Sequence, residues 1–218
     1  MPRALFEKTG NARYISHLDL MRVFQRAFKR AGLPLTHTQG VNPRPSVSIA
    51  MPLSLGVESR CELLDFGLEQ PVDCSEICER LNAMLIDGIH IREVYDQGDK
   101  LRNLGLLQSR LVLEYDGKLP DDTVERVQNL FSQPELTVEK KGKNGITQQD
   151  VIPMLRRLSV NRLSAGEVEL SALHSCQNPS LNPMQLAAAI TKYLPELTPD
   201  YVRCFREEIF DANETIFR

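Results

Sequence analysis

The chain has 218 residues, of which 42% are hydrophobic and 25% are charged, a composition typical of a protein with an ordinary hydrophobic core. This length suits one large domain or two small ones. No apolar run reaches the roughly 18 residues that a membrane-spanning helix needs, and the first ten residues lack the apolar segment of a secretory signal. We therefore expect a cytoplasmic protein that does not contact a membrane.

The cysteines argue against a bound metal or cluster. They are odd in number and widely spread, which predicts free thiols in a reducing compartment. Two of them lie four residues apart on a predicted helix, and such a pair alone seldom holds a metal. The sequence contains neither the CxxxCxxC triplet of an iron–sulfur cluster nor a glycine-rich phosphate loop. We expect no metal site and no bound cofactor. The five cysteines are Cys61, Cys74, Cys78, Cys176 and Cys204.

Positive charge is concentrated in the first 50 residues, which carry eight Lys and Arg against two Asp and Glu. Their net charge is +6, and since the whole chain carries −3, the other 168 residues carry −9. A basic end on an acidic protein indicates an anionic partner, nucleic acid in the first place. A basic helix face that is merely solvated is the competing explanation.

The first predicted elements follow one another as β-α-β-β-α-β. Ser16, with Asp19 three residues later, is a capping box that starts the first helix, and Gly32 followed by Pro34 ends it. Hydrophobic side chains at three- and four-residue steps give this helix one apolar face. The predicted strands are 2–7, 47–51, about 61–68 and about 89–96, and the predicted helices are about 17–31 and about 74–86.

The same order recurs after a predicted hinge at about 97–108. Residues 147–155 interrupt the second set as an insertion or a short helix. Two successive sets predict an α+β fold of two tandem ferredoxin-like (βαββαβ) units, at residues 1–98 and 107–218. In the second set the predicted strands are 109–115, about 135–140, 157–163, 167–173 and 201–209, and the predicted helices are 121–132 and about 183–193.

Four cations lie on the first helix, roughly opposite its apolar face. Arg22, Arg26, Lys29 and Arg30 are neighbours at three- and four-residue steps, so their charges add along one side. Such a stripe suits a phosphate backbone, because each neutralised phosphate releases counterions. On these four residues alone, phosphate binding and simple solvation are equally good explanations.

The segments on either side of the helix favour binding. Polar groups precede it, and others follow on a connector at 35–46, where Gly40, Pro43 and Pro45 restrict the backbone. Amide and guanidinium groups on a stiff loop beside a basic helix suit RNA edges and phosphates. The competing explanation is a plain turn between a helix and a strand. The predicted RNA-binding residues are Lys8, Arg13, Tyr14, His17, Arg22, Arg26, Lys29, Arg30, Gln39, Asn42 and Arg44.

Two histidines raise the question of catalysis. His17 and Asp19 are two residues apart on a helix and do not face each other. His17 and His37 could meet across the connector as the acid–base pair of a metal-independent ribonuclease. They are the candidate catalytic residues, although we expect no catalytic activity of the chain's own.

The stretch FEKTGNARYISHLDLMRVFQRAFKRAGLPLTHTQGVNPRPSVSIAMPLSLGVES resembles the signature of the radical SAM-linked protein family, a bacterial domain of unknown function. The family pattern runs approximately K-x-G-x-x-R-[FY]-[IL]-S-H-L-D-L-x-R, R-A-x-x-R-A-G-L-P, S-x-G-[FY]-N-P-x-P and P-L-x-x-G-x-x-S. The chain departs from it at Thr38, Val41 and Arg44, where Ser, an aromatic residue and His are usual. The missing aromatic ring weakens any base-stacking role at Val41.

The resemblance implies a partner rather than an activity. Members of that family are fused behind a B12-binding-type radical SAM domain or encoded beside one, often near ribonuclease E/G and ribosomal-protein genes. This implies a separate radical SAM enzyme that supplies the iron–sulfur cluster, and work on RNA or the ribosome.

Three functional hypotheses follow. The leading one is an RNA-binding accessory subunit that presents tRNA or rRNA to a radical SAM enzyme for modification or processing. The second is a metal-independent endoribonuclease that uses His17 and His37. The third is a protein-interaction subunit of the radical SAM enzyme, in which the basic stripe meets an acidic protein surface and does not contact RNA.

Overall fold

A computed structural model describes residues 1–142 and 145–218. In these ranges the protein is α+β, with four α-helices and β-strands that pair antiparallel within each unit. The chain divides into an N-terminal unit, residues 1–103 with Arg218, and a C-terminal unit, residues 104–217. No helix in the described part of the chain is long and apolar enough to cross a membrane.

The N-terminal unit packs two helices on a four-stranded sheet. Its strand order is β4-β1-β3-β2. Phe24 and Phe28 of α1 pack on Phe6 of β1 and Phe66 of β3, with ring centroids 4.9 Å apart in both pairs. Burying each such side chain contributes about 1.5–3 kcal/mol. The elements are β1 (Arg3–Lys8), α1 (His17–Arg30), β2 (Val47–Ala50), β3 (Glu58–Phe66), α2 (Cys74–Asn82) and β4 (Ile89–Tyr95).

Both ends of α1 are where the sequence predicts them. At its start, Ser16 Oγ accepts a hydrogen bond from the Asp19 N–H at 3.2 Å, which confirms the cap. At its end, Gly32 has φ +65°, and the Leu33 N–H donates to the Phe28 carbonyl at 2.9 Å. This is a Schellman ending, which reverses the chain and needs a residue that tolerates the left-handed region.

The connector between α1 and β2 folds into a short two-stranded arm, residues 36–46, which we call the connector arm. The Ser46 N–H donates to the Thr36 carbonyl at 2.7 Å, and the Thr38 N–H donates to the Arg44 carbonyl at 2.8 Å. At the arm's base the Thr36 N–H reaches the Gly67 carbonyl at 2.9 Å. The arm's tip is exposed to solvent, and Val41 there is 98% exposed.

The C-terminal unit repeats the sheet order of the N-terminal unit, with an added hairpin. Its main sheet has the order β10-β5-β9-β8, while β6 and β7 form a separate two-stranded sheet. The elements are β5 (Leu104–Glu114), α3 (Thr123–Phe131), β6 (Thr137–Gly142), β7 (Gly145–Asp150), β8 (Leu155–Ser164), β9 (Glu167–Ser175), α4 (Met184–Tyr193) and β10 (Tyr201–Asp211).

Two predictions for this unit are wrong in part. The strand predicted at 135–140 does not join the main sheet but pairs with β7, a strand that the sequence does not indicate because its side chains at 145–148 are exposed and mostly polar. The predicted hinge at 97–108 is too long, since β5 begins at Leu104. Gly105, which falls within that predicted hinge, lies inside β5, where an added Cβ would come within 2.6 Å of the Ala212 nitrogen.

A buried histidine links two strands of the C-terminal unit. His174 of β9 and Ser109 of β5 are almost completely buried, and His174 Nε2 lies 2.9 Å from Ser109 Oγ. His174 Nδ1 lies 3.2 Å from the Ser175 carbonyl oxygen, which can only accept, so Nδ1 carries the proton. Burial lowers the pKa of His174 from 6.5 to about 4. The imidazole is therefore neutral and structural.

The C-terminal unit should lose stability as the pH falls, because His174 is buried in its neutral form. The folded pKa of about 4 lies below the ordinary value of 6.5, so unfolded chains bind this proton more readily. The contribution is complete above about pH 6.5 and is lost as the pH falls towards 4, roughly 3 kcal/mol in all. Urea unfolding across this range should show the loss in wild type and a smaller one in His174→Gln. Equal losses in both proteins, or an imidazole that titrates in the folded protein near pH 6.5, would contradict the assignment.

The stability of the protein should depend on the left-handed backbone conformation of Gly32 more than on the space that its missing side chain leaves. Gly32→Ala places a Cβ on a left-handed residue, which costs about 1–2 kcal/mol. Gly32→Asn adds a Cβ at the same place, 3.0 Å from Arg80 Nη2, but Asn tolerates this conformation better. Denaturant unfolding should rank the proteins as wild type, then Gly32→Asn, then Gly32→Ala. Identical midpoints for all three would show that the ending of α1 is not constrained in this way.

Candidate nucleic-acid interface

A groove of about 470 Å³ lies between the C-terminal half of α1 and the connector arm. We call it the α1 groove. Its floor is apolar and belongs to the core of the N-terminal unit, because Phe28, Leu33 and Leu35 are almost completely buried. Pro34 and Pro45 add apolar surface at its sides. The floor is therefore held in place by core packing.

Polar groups from three segments line the rest of the α1 groove. Gln25, Arg26 and Lys29 come from α1, and His37 comes from the connector arm. Glu69, which follows β3, is also in the lining. The structure thus places two of the predicted RNA-binding residues, Arg26 and Lys29, in one groove with the candidate catalytic residue His37.

The segment that follows β3 reaches the α1 groove through backbone contacts. Leu35 and Leu68 form an isolated antiparallel bridge, and the Glu69 N–H donates to the Pro34 carbonyl at 3.0 Å. Sequence reasoning missed Glu69 and Gln25. Glu69 is 32 residues beyond His37 and gave no local signal, whereas Gln25 could have been found as the neighbour of Arg26 on the helix face.

The four cations of the α1 stripe differ in their pairing. Arg22 forms an ion pair with Asp19 at 2.7 Å. A hydrogen bond from Ser16 and one from Arg22 lower the pKa of Asp19, so this carboxylate stays charged. Arg26, Lys29 and Arg30 are exposed and form no ion pair with any residue in the described ranges. Their charges are available to an anionic ligand.

Lys8 does not belong to the interface, which corrects the prediction. It is 1% exposed, and its Nζ donates to the Arg13 and Ile15 carbonyls at 3.2 and 2.9 Å. Burial lowers the pKa of Lys8. Its ammonium group ties the turn before α1 to β1 and cannot reach RNA.

Arg13 is also occupied within the chain. Its Nη1 donates to Glu58 Oε1 at 2.8 Å, and its Nη2 donates to the Tyr14 hydroxyl at 2.9 Å. These hydrogen bonds, to Tyr14 and then to Glu58, raise the pKa of Arg13. Because Glu58 compensates its charge, the prediction that Arg13 orients a nucleotide is not supported. Tyr14 remains 56% exposed beside it.

The two candidate catalytic histidines lie at opposite ends of α1. His17 is the first residue of the helix, whereas His37 lines a groove with Arg26 and Lys29. His17 precedes Arg26 by nine residues, about 14 Å along a helix axis at 1.5 Å per residue. An acid–base pair around one phosphodiester needs both imidazoles within hydrogen-bond reach of it. The geometry therefore does not support the predicted His17–His37 pair.

The remaining predicted residues lie at the tip of the connector arm. Gln39, Asn42 and Arg44 are exposed, and none of them lines the α1 groove. The backbone of Arg44 holds the arm together, since its N–H donates to Thr38 Oγ1 at 3.0 Å. These side chains stand on the same arm as His37 but outside the groove.

No group of three or more His, Cys, Asp or Glu in the described ranges is arranged to hold a metal ion. Cys74 and Cys78 lie on α2 as free thiols, and desolvation raises the pKa of each. Neutral thiols are poor metal ligands.

The fold is similar to that of a chain in a solved protein complex. A chain in the crystal structure of a Cbf5-Nop10-Gar1 complex matches with a TM-score of 0.51 at 8% sequence identity, over 95% of this chain and 48% of that one. This chain thus spans about half the length of that protein, and the likeness concerns the fold alone. An unknown protein from Galdieria sulphuraria matches with a TM-score of 0.27 and 11% identity, over 94% of this chain and 96% of that one.

Sequence comparison gives a family but no relative of known function. The chain matches no curated protein. Residues 2–183 match the profile of a family described as uncharacterized proteins conserved in bacteria (DUF2344), which is most of the chain. The protein therefore belongs to this family of uncharacterized bacterial proteins, DUF2344.

Proposed function

We propose that this protein is an RNA-binding accessory subunit that works with a separate radical SAM enzyme in the modification or processing of tRNA or rRNA. The observation that carries the proposal is the α1 groove, where Arg26 and Lys29 meet His37 from a different segment. Arg26 and Lys29 form no ion pair in the described ranges, and their charges favour an anionic ligand that approaches this face.

The arrangement suits a phosphate backbone better than a solvated helix face. Lys29 and Arg30 lie in the last turn of α1, where cations are favourable beside the helix dipole whether or not a ligand binds. That explanation does not extend to Arg26, which is one turn earlier, or to His37 on the connector arm. A shared RNA ligand accounts for both residues, because Arg26 would neutralise a phosphate and release counterions, while the exposed His37 would contact the same nucleotide.

The predicted residues fall into groups with different roles. Arg26, Lys29 and Arg30 hold phosphates, and His37 contacts the nucleotide in the groove. Gln39, Asn42 and Arg44 extend the contact along the connector arm. Tyr14 and His17, at the start of α1, take part only when the RNA runs along the helix for its full length, about 20 Å.

Two parts of the proposal rest on other grounds. The radical SAM partner is supported by the resemblance of residues 8–59 to the radical SAM-linked signature. We also infer that both units are ferredoxin-like. The supporting observation is the strand order of the two sheets, β4-β1-β3-β2 and β10-β5-β9-β8. In each unit the fourth strand of that unit lies next to the first, which is followed by the third and then the second, as a split βαβ arrangement requires.

Removing the unpaired cations should weaken RNA binding and flatten its salt dependence. With labelled bulk tRNA, the double variant Arg26→Gln and Lys29→Gln should lower the slope of log affinity against log salt by about one for each lost phosphate contact. Arg22→Gln is the matched control, because Arg22 lies on the same helix but is paired with Asp19. Its slope should stay close to that of wild type.

Two results would overturn this account. An unchanged salt slope in the double variant would remove the α1 stripe from RNA binding. If wild type does not bind tRNA at low salt, and the same substitutions abolish copurification with the radical SAM enzyme after nuclease treatment, the stripe meets a protein surface instead.

The separation of His17 and His37 predicts binding without cleavage. Purified protein incubated with total RNA in EDTA should leave the RNA intact. His37→Ala should weaken tRNA binding because His37 lines the groove, whereas His17→Ala should leave the affinity within about twofold of wild type. Cleavage in EDTA that both substitutions abolish would establish the endoribonuclease alternative.

A further inference from the structure

We propose that the α1 groove holds one unpaired nucleotide of the RNA, with its phosphate at Arg26 and Lys29 and its base against the apolar surface of Pro34 and Pro45 beside Glu69. We further propose that Glu69 favours bases that carry an exocyclic amino group. This inference rests on the proposed function and names the part of the RNA that the groove recognises.

Three kinds of surface meet in this one cavity. Arg26 and Lys29 supply positive charge, Pro34 and Pro45 supply apolar surface, and Glu69 supplies a carboxylate. A volume of about 470 Å³ lies in the range of sites that hold small molecules. A nucleotide has the same three parts, a charged phosphate, flat base faces and polar base edges.

A paired RNA helix would not use this cavity. The bases of a duplex are stacked inside it, so a duplex would touch only the cations at the rim and leave the surface of Pro34 and Pro45 exposed to water. Proteins that read single-stranded RNA place splayed bases against aromatic rings or guanidinium planes. His37, exposed at the groove, offers such a ring.

The floor is preformed, which lowers the entropic cost of binding. Phe28 is 1% exposed and packs on Phe66, with ring centroids 4.9 Å apart. Leu33, directly after the Schellman ending of α1, is completely buried. A base that enters the groove therefore meets a surface whose side chains are already ordered.

Glu69 determines which end of the groove takes which part of the nucleotide. A carboxylate repels a phosphate, so the phosphate lies with Arg26 and Lys29 and the base lies towards Glu69. The Glu69 backbone is held by its hydrogen bond to Pro34, and its carboxylate is exposed with no ion pair in the described ranges. A carboxylate accepts from the amino group of cytosine, whereas uracil presents a carbonyl oxygen at the equivalent place.

Single-stranded octamers that differ only in their bases test this inference. The probes are oligocytidylate, oligouridylate and an abasic ribose–phosphate octamer, each with the same number of phosphates. Full-length protein should bind oligocytidylate more tightly than the abasic octamer, by about tenfold or more for a stacked base. Oligouridylate should lie between them. The salt slopes of all three should agree, because the phosphate contacts are the same.

Glu69→Gln should reduce the preference for oligocytidylate over oligouridylate without changing the salt slope. A glutamine amide can donate to the uracil carbonyl, which the carboxylate cannot do. Glu79→Gln is the matched control, since Glu79 is an exposed carboxylate on α2 outside the groove lining and its substitution changes the net charge equally. Unfolding curves of the variants should match that of wild type.

The outcomes separate this inference from the proposed function. If bulk tRNA binding depends on Arg26 and Lys29 but the three octamers bind equally, the RNA-binding function stands and the nucleotide site is refuted. If Glu69→Gln leaves the preference unchanged, the role of Glu69 is refuted. If neither tRNA nor any octamer binds, both proposals are refuted.

Discussion

Gly32 ends α1 in a left-handed conformation, and Arg80 of α2 holds the carbonyls that this ending leaves free. The Arg80 Nε and Nη2 groups donate to the Ala31 carbonyl, and Nη2 also donates to the Gly32 carbonyl at 2.9 Å. The chain then reverses, buries Leu33 and enters the connector arm. Because of this reversal, His37 returns to the helix face that carries Arg26 and Lys29. Without it, the basic helix and the polar connector would be separate features of the surface.

Burial and pairing divide a set of cations that looks uniform in the sequence. Lys8 is buried and serves the fold, while Arg13 and Arg22 are compensated by Glu58 and Asp19. Arg26, Lys29 and Arg30 form no ion pair in the described ranges, and neither does Arg44 on the connector arm. An ion pair between exposed groups contributes little to stability, commonly less than about 1 kcal/mol. Its larger effect here is on the surface potential, since it removes a charge that a ligand would otherwise meet.

The C-terminal unit has a groove at the corresponding place, of about 500 Å³, between α3 and β8. Gln128, Asn129 and Arg156 are part of its lining, but Arg157 beside them forms an ion pair with Glu214 at 2.6 Å. In chain order, the β6–β7 hairpin lies between α3 and β8, just as the connector arm lies between α1 and β2 in the N-terminal unit. The two units thus share a strand order, and each has basic side chains in a groove beside its first helix.

Local patterns were enough to predict much of the fold. The cap at Ser16, the stop at Gly32, the apolar face of α1 and most strands could be located from the sequence, because each depends on residues a few positions apart. Strand β7 could not, since its stability comes from backbone pairing with β6 and not from an alternating apolar pattern. The same limit applies to Gly105, whose role is set by the distant backbone at Ala212.

For the site, the sequence alone shows that a basic helix is followed by a polar, proline-stiffened connector. Which of those residues meet depends on the folding of distant segments. The tertiary structure buries Lys8, pairs Arg13 with Glu58, separates His17 from His37 and brings Glu69 to the cations of α1. Charge and helical periodicity are properties of neighbouring residues. Burial, pairing and the formation of a groove depend on contacts between segments that are tens of residues apart, and a single sequence does not contain those contacts in readable form.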